Sequence, residues 1–266
     1  MDPSLYHRFF EVEDRHWWFV GRRAVVGALL GQVLGGTDTV LGTPDRASPT
    51  RRILDVGCGT GGMLPLLSRF GRVTGVDSEP LALDYCRRRG FEDVHLQEGF
   101  IASTPFDLIT LFDVLEHVPD DVGFLAWLKS LMAPDGRLVL TVPAFPFLWS
   151  RHDELNHHQR RYRRPDLKST LEKGGFRVER LTYFNFWLFP AALVTRAGGG
   201  KAGVGRRDDV RVRTDHAADA EEILKPLRIG TTNPLLTRIL ASEAGLVRHL
   251  DLPWGVSLAA VARPVA

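Results

Sequence analysis

The chain has 266 residues, 44% of them hydrophobic, with a formal net charge of +2 and two cysteines, Cys58 and Cys86. That length and apolar content support a globular protein with one large core, and the small net charge points to no nucleic-acid partner. Two cysteines suit a reducing compartment better than a disulfide framework. The N-terminus lacks a basic region followed by an apolar core, and no apolar run reaches the roughly 18 residues of a membrane span. The expected location is therefore the cytoplasm, with peripheral membrane association left open.

In chain order, residues 4–34 read as two helices joined at Trp17, Trp18 and Phe19, with Arg22 and Arg23 just beyond. A Gly-, Thr- and Pro-rich connection from Gly35 to Thr50 leads to a first strand at 52–56. Helix 61–69, strand 72–76, helix 79–89, strands 93–96 and 106–111, helix 121–132 and strand 136–142 then alternate as in a parallel, doubly wound sheet. A helix starting near Arg164, a strand at 176–184 and a last strand from Gly255 complete the pattern. About 70 residues separate those two strands, far more than a hairpin loop needs. This excursion holds the aromatic run Tyr183–Val194, a glycine-rich stretch from Gly198 and a helix from Pro234 to Arg248. The expected organisation is N-terminal helices and linker (1–50), core (51–185), helical cap with a flexible glycine-rich segment (186–254) and last core strand (255–266).

The chemistry is concentrated in Ile53-Leu-Asp-Val-Gly-Cys-Gly-Thr-Gly-Gly62. Gly57, Gly59 and Gly62 fit the G-x-G-x-x-G spacing that lets a backbone approach a nucleotide. Asp55, two positions earlier, would end the strand facing the crevice, where it repels a pyrophosphate and attracts an ammonium and a sulfonium. S-adenosylmethionine carries both. Asp77 ends the second strand about twenty residues after the first glycine, the place of a ribose-binding carboxylate.

Residues 52–143 resemble the class I S-adenosylmethionine-dependent methyltransferases through LDVGCGTGG, GVD, FDLITLFDVLEHV and APDGRLVLTVP, in that family's order and spacing. The resemblance implies a Rossmann-like, doubly wound seven-stranded sheet, mostly parallel with an antiparallel last strand, plus N-terminal helices and a helical insertion before that strand. It implies that Asp55 and the turn Gly57, Cys58, Gly59 and Gly61 lie beside the methionine part, Asp77 on the ribose and Ser78 near the adenine. Gly99 and Phe100 would flank the base, although Glu98-Gly99-Phe100 departs from the family's usual acid there. Phe112, Asp113 and His117 would stand beside the sulfonium and the acceptor.

Beyond the shared core, Glu13 with Trp17–Phe19 and a D-x4-H-x2-R-Y arrangement (Asp153, His158, Arg161, Tyr162) resemble a bacterial methyltransferase subgroup. His117, Asp153 and His158 are the candidate catalytic residues, with His152 and His157 in the same segment. A histidine is useful as a base when the acceptor is a hydroxyl or an amine. Residues 149–162 otherwise read as a solvated loop, and their His and Asp spacing matches no closed zinc site, so no metal is expected. Trp17 and Trp18 read as core anchors. The arginine groups 160–164 and 206–213 lack interleaved aromatics and read as solvated faces rather than a nucleic-acid surface.

The expected activity is methyl transfer, most readily to oxygen, on a small-molecule or lipid-linked acceptor. A nicotinamide-dependent oxidoreductase shares the glycine pattern, but Asp55 and FDVLEHV argue against it. A cofactor-binding module without turnover is the other alternative.

Overall fold

The computed structural model describes residues 3–35, 50–198 and 229–265. The connection at 36–49, most of the glycine-rich stretch and the arginines 206–213 lie outside the described residues.

Two helices, α1 (Pro3–Val12) and α2 (Trp17–Leu34), precede β1 (Arg52–Val56), α3 (Leu64–Leu67), β2 (Arg72–Asp77), α4 (Pro80–Arg88), β3 (Val94–Leu96) and β4 (Phe106–Phe112). A 3-10 turn at Leu115–His117 leads to α5 (Asp121–Ser130) and β5 (Met132–Pro143). Then come a 3-10 turn at Pro146–Leu148, α6 (Arg151–Leu155), α7 (Arg164–Lys173), β6 (Phe176–Phe184), α8 (Phe189–Gly198), α9 (Asn233–His249) and β7 (Ser257–Pro264).

The strands form one seven-stranded sheet in the order β3-β2-β1-β4-β5-β7-β6. Pairing is parallel from β3 to β5, and β7 is antiparallel to both β5 and β6. The order reverses between β1 and β4, and a crevice at such a switch point is where ligands bind in open α/β sheets.

Both faces of the sheet are covered, which is why its central strands are apolar runs rather than alternating ones. Ile53, Leu108, Val139 and Val261 pack with Val26 and Leu30 of α2. Their neighbours Leu54, Ile109, Leu138 and Ala262 point the other way and join Leu125 and Leu128 of α5 and Leu167 and Leu171 of α7. Each fully buried leucine or phenylalanine of this kind contributes about 1.5–3 kcal/mol relative to exposure. α9 lies on α2 so closely that a Cβ at Gly21 would stand 2.6 Å from Leu240. Trp18 stacks on Phe184 at 6.1 Å, and Asn233 bonds both the Trp17 N–H (2.8 Å) and the Arg15 carbonyl (2.9 Å). These contacts tie the N-terminal pair of helices to the excursion.

Some element bounds differ from expectation for local reasons. The helix expected at 61–69 shortens to α3 because Gly61 has φ +83° and Pro65 sits at the helix start. The helix expected to reach 132 stops at Ser130, because Pro134 follows and Leu131 and Met132 already pair with Phe106. Residues 149–162 are not a solvated loop. They hold α6 and a bridge from Tyr162 to Ala144, with Asp153, Arg161 and Tyr162 all buried.

Candidate active site

The glycine turn leaves β1 through three left-handed residues, Gly57, Gly59 and Gly61, with φ of +71°, +54° and +83°. Gly57 also has no room for a side chain, since a Cβ there would lie 2.4 Å from Val114 Cγ2. At Gly59 a Cβ would meet nothing within 4 Å, so the turn borders open space on the crevice side. The Gly59 N–H is held at 2.8 Å by Asp77 Oδ2, and the Glu79 N–H at 3.0 Å by Oδ1. Burial raises the Asp77 carboxyl above the usual range, and these backbone donors work against that rise. Ser78 is exposed at the end of β2.

Asp55 lies deeper than expected. It is 2% exposed and accepts the Thr110 hydroxyl of the neighbouring strand at 2.7 Å. Desolvation pushes its carboxyl up to about 7, and the nearby Arg22 guanidinium only partly offsets this. A buried carboxyl so placed gains from a cationic ligand. Together with the open space at Gly59, it suits a cationic ligand such as S-adenosylmethionine better than a pyrophosphate.

The N-terminal helices reach this turn. Thr60 donates to Glu13 Oε1 at 2.6 Å, Arg89 Nη2 reaches the same oxygen at 2.6 Å, and Arg89 Nε bonds the Thr60 carbonyl at 2.8 Å. Arg22 of α2 pairs with Asp113 just past β4, while Thr141 donates to the other Asp113 oxygen at 3.0 Å. Asp113 itself has φ +55°, a strained backbone of the kind that collects at functional sites. Phe112 is buried beside it at the strand end.

The Gln97 N–H bonds the Asp77 carbonyl at 2.9 Å, so the segment carrying Gly99 and Phe100 leaves the sheet beside Asp77. Phe100 packs on Phe106 (6.4 Å) and His95 (5.8 Å), and with Glu98 and Gly99 it lines a hollow of about 820 Å³ that also includes Arg52 and Arg72. Arg52, Arg72 and Phe106 begin their strands, while Leu96, which also lines the hollow, ends β3 opposite Asp77.

On the acceptor side, His117 and His158 meet edge to face with ring centroids 4.7 Å apart. Asp153 Oδ1 receives Arg161 Nε at 2.7 Å and lies 3.0 Å from His158 Nδ1, while Oδ2 takes the Ser150 amide (2.8 Å) and hydroxyl (2.9 Å). Burial opposes ionisation of Asp153, but the hydrogen bonds from His158, Arg161 and Ser150 outweigh it and hold the carboxyl well below the usual range. Burial, and then His158, depress His117 to about 4, so its imidazole is neutral at physiological pH.

Glu116 completes the cluster. It is fully buried, and neither carboxylate oxygen has a hydrogen-bond partner among the described residues. Burial, reinforced by Asp113, pushes its carboxyl well up. Its backbone carbonyl accepts the Gln159 N–H at 2.7 Å, which pins the segment carrying His158 to the one carrying His117. The arginines of this segment are internal partners as well, Arg160 bonding Asp121 at 2.6 Å and Arg161 the Ala144 carbonyl at 3.1 Å.

Sequence reasoning missed Glu116, although it stands beside His117 in the quoted motif, and it missed the roles of Glu13 and Arg22. His152 and His157 are not part of the His117–His158 contact; His152 lies 3.2 Å from the Asn156 amide instead.

Residues 36–181 match the family described as methyltransferase domain. Among curated relatives, the mitochondrial ubiquinone biosynthesis O-methyltransferase of Schizosaccharomyces pombe is 36% identical over 102 residues, covering 34% of this chain and 37% of the relative. The ubiquinone biosynthesis O-methyltransferase of Actinobacillus pleuropneumoniae is 36% identical over 103 residues, covering 33% and 44%. The chain thus spans less than half the length of the curated relatives it matches. Among solved structures, a complex of a methyltransferase activator and a methyltransferase from Haloferax volcanii aligns with TM-score 0.55 at 13% identity, covering 99% and 95% of the two chains. A structure described as a sarcosine dimethylglycine methyltransferase from Galdieria sulphuraria aligns with TM-score 0.53 at 14% identity, covering 92% and 86%. At such identities the structures share the fold alone. The match over more than half of the chain places it in the methyltransferase domain family, and its sheet has the Rossmann-like order of the class I S-adenosylmethionine-dependent methyltransferases.

Proposed function

We propose that the chain methylates a hydroxyl oxygen of a small-molecule or lipid-linked acceptor. Bound S-adenosylmethionine supplies an electrophilic methyl on a sulfonium, and the protein's task is mainly to align donor and acceptor. Asp77 would hold the ribose hydroxyls, Asp55 would balance the cofactor's positive charge, and the turn from Gly57 to Gly61 would shape the space beside it. Ser78 borders the base end, while Phe112 and Asp113 border the transfer zone.

The observation that carries the choice of acceptor is the buried Asp153–His158 pair, in ring contact with His117. Asp153, kept ionised by Arg161 and Ser150, holds His158 Nδ1, which leaves the Nε2 lone pair for an acceptor O–H. His158 is placed to take that proton, while the methyl's bond to sulfur would break as its bond to the acceptor oxygen forms, with S-adenosylhomocysteine as the leaving group. Asp153 positions His158 and takes no proton itself. The O-methyltransferase names of the relatives agree with oxygen as the acceptor atom.

Aromatic side chains follow this cluster outward. Phe145 stacks on Tyr183 and Phe147 at 5.0 Å each, and Phe186 stacks on Trp254 at 5.2 Å. Phe147, Trp187 and Trp254 remain about half exposed. Such a surface suits an apolar acceptor or one anchored in lipid. Among the described residues no helix is long and apolar enough to cross a membrane. Within this reading residues 51–185 form the cofactor core, and the described parts of the insertion, 186–198 and 229–254, form a cap over the acceptor.

The test is product detection by mass spectrometry with labelled S-adenosylmethionine and a panel of phenolic, aliphatic and isoprenoid-linked hydroxyls. Methyl appearing on carbon or nitrogen only would sink the oxygen assignment. Saturable cofactor binding without turnover on any acceptor would favour a binding module.

A further inference from the structure

Three side chains beside the transfer zone have the composition of a metal centre. Glu116, His117 and His158 each offer one ligand-capable atom, and these atoms all lie within 4.8 Å of one another. We propose that Glu116, His117 and His158 bind a divalent transition cation, an inference that rests on the reading of this cluster as the acceptor side of a methyltransferase.

Two imidazoles and one carboxylate are the protein ligand set of catalytic zinc sites, which keep a further position open for water or substrate. The second observation is independent of that composition. Both Glu116 carboxylate oxygens are buried without a hydrogen-bond partner among the described residues, a costly state for a group that a cation would satisfy. The third is the support behind His158. Asp153 engages Nδ1 and fixes the ring so that Nε2 is the ligand, the carboxylate–histidine arrangement found behind metal-bound imidazoles. Asp153 is in turn fixed by Arg161 and Ser150, so the ring is anchored before any cation arrives.

The charges around the cluster allow it. Arg22 and Arg161 lie near Glu116, but Arg22 is paired with Asp113 and Arg161 with Asp153. Adding one cation to one carboxylate therefore leaves no large local excess. The spacing of His and Asp along 152–158 matches no metal motif because the ligands come from two segments, 116–117 and 158. The Gln159 N–H to Glu116 carbonyl bond joins them.

A cation here would replace the proton acceptor of the preceding reading. With the His158 lone pair committed to the metal, an acceptor hydroxyl next to the cation loses its proton more readily, and its oxygen attacks the methyl as the C–S bond breaks. The proton leaves to solvent. The expected acceptor is then one able to sit beside a cation, such as a hydroxyl with a neighbouring oxygen.

The test uses the full chain, stripped with a chelator and dialysed against Zn2+ or Co2+, with bound metal measured by mass spectrometry and the Co2+ ligand field by visible absorption. Glu116→Gln removes one ligand while keeping shape and both imidazoles, and His158→Ala removes another. S-adenosylmethionine binding is measured in parallel by calorimetry. We expect one cation per chain, at least tenfold weaker uptake in both variants, and cofactor affinity within twofold of wild type. A wild-type protein that takes up no cation while still binding the cofactor would overturn the proposal and leave the methyltransferase reading standing. Uptake unchanged in Glu116→Gln, whose fold is checked by circular dichroism, would overturn it equally. Cation uptake without cofactor binding would support the site and count against the reading it rests on.

Discussion

Thr60 in the glycine turn donates its hydroxyl to Glu13 across 2.6 Å, so the first helices are latched onto the loop that shapes the cofactor site. Glu13 is 6% exposed and shares the same oxygen with Arg89. Removing one partner of a buried ion pair leaves the other uncompensated, at a cost of about 3–5 kcal/mol. Glu13→Ala should therefore lower the urea midpoint substantially and weaken S-adenosylmethionine by about tenfold, as read by calorimetry on the folded fraction. An unchanged cofactor affinity would mean that the latch serves stability alone.

The buried carboxyl of Asp55 sets a pH dependence. Its folded-state value near 7 lies above the ordinary 3.8. Between those values the folded protein holds a proton that the unfolded chain has lost, so stability falls as pH rises from about 4 to about 7. The full penalty, on the order of 4 kcal/mol, is present above 7. Asp55→Asn removes the penalty and should raise the melting temperature at pH 8. A cationic ligand favours the ionised carboxyl, so wild-type affinity for S-adenosylmethionine should rise between pH 5.5 and 7.5 by up to about tenfold per unit. A flat profile in wild type would show that Asp55 does not titrate with the cofactor.

Two glycines separate backbone strain from ligand space. Gly57→Ala meets Val114 at 2.4 Å in a left-handed backbone, so the turn must move, with a loss of about 2 kcal/mol or more in stability. Gly59→Ala meets no protein atom within 4 Å and should cost only about 1 kcal/mol. If the cofactor fills that space, Gly59→Ala still loses at least tenfold in affinity. Comparing melting curves with calorimetric titrations for the pair checks both statements.

Asp153 is expected to act through position and stability. Asp153→Ala leaves Arg161, 8% exposed, without its carboxylate, a loss of about 3–5 kcal/mol in denaturant unfolding. Because this carboxyl is depressed in the folded protein, its contribution is complete above the ordinary carboxylate range and is lost as pH falls through and below it. The destabilisation of Asp153→Ala should therefore shrink towards pH 2. An equal destabilisation at pH 7 and pH 2.5 would contradict the ionised pairing.

Trp187 and Trp254, 50% and 45% exposed, test the lipid-facing reading. Replacing both with serine should reduce sedimentation with anionic vesicles several-fold, in protein shown by circular dichroism to remain folded. Wild-type protein that stays wholly in the supernatant would count against the reading.

The sheet was legible because its central strands are uninterrupted apolar segments punctuated by glycine and aspartate, whereas the antiparallel place of the last strand came from the family resemblance, since a gap of about 70 residues gives no sign of a pairing. Asp55, Gly57 and Asp77 were legible for the same reason, since each stands at a strand end whose register the pattern defines. Residues 149–162 read as a solvated loop because their polar side chains satisfy one another in the interior: Asp153 is buried only by virtue of Ser150, His158 and Arg161, partners that spacing alone does not identify. Glu116 escaped notice because an acid beside a histidine normally faces water, and only the fold shows it fully buried.

β7 lies between β5 and β6, pairing Val139 with Val261 on one side and Phe184 with Ser257 on the other. During synthesis the edge of β5 therefore stays unpaired until the whole 186–254 excursion has been made. The nascent core exposes an apolar strand edge throughout that interval, a setting that favours chaperone capture over early closure. Shortening the excursion would bring closure forward, and the yield of soluble protein should respond before its equilibrium stability does.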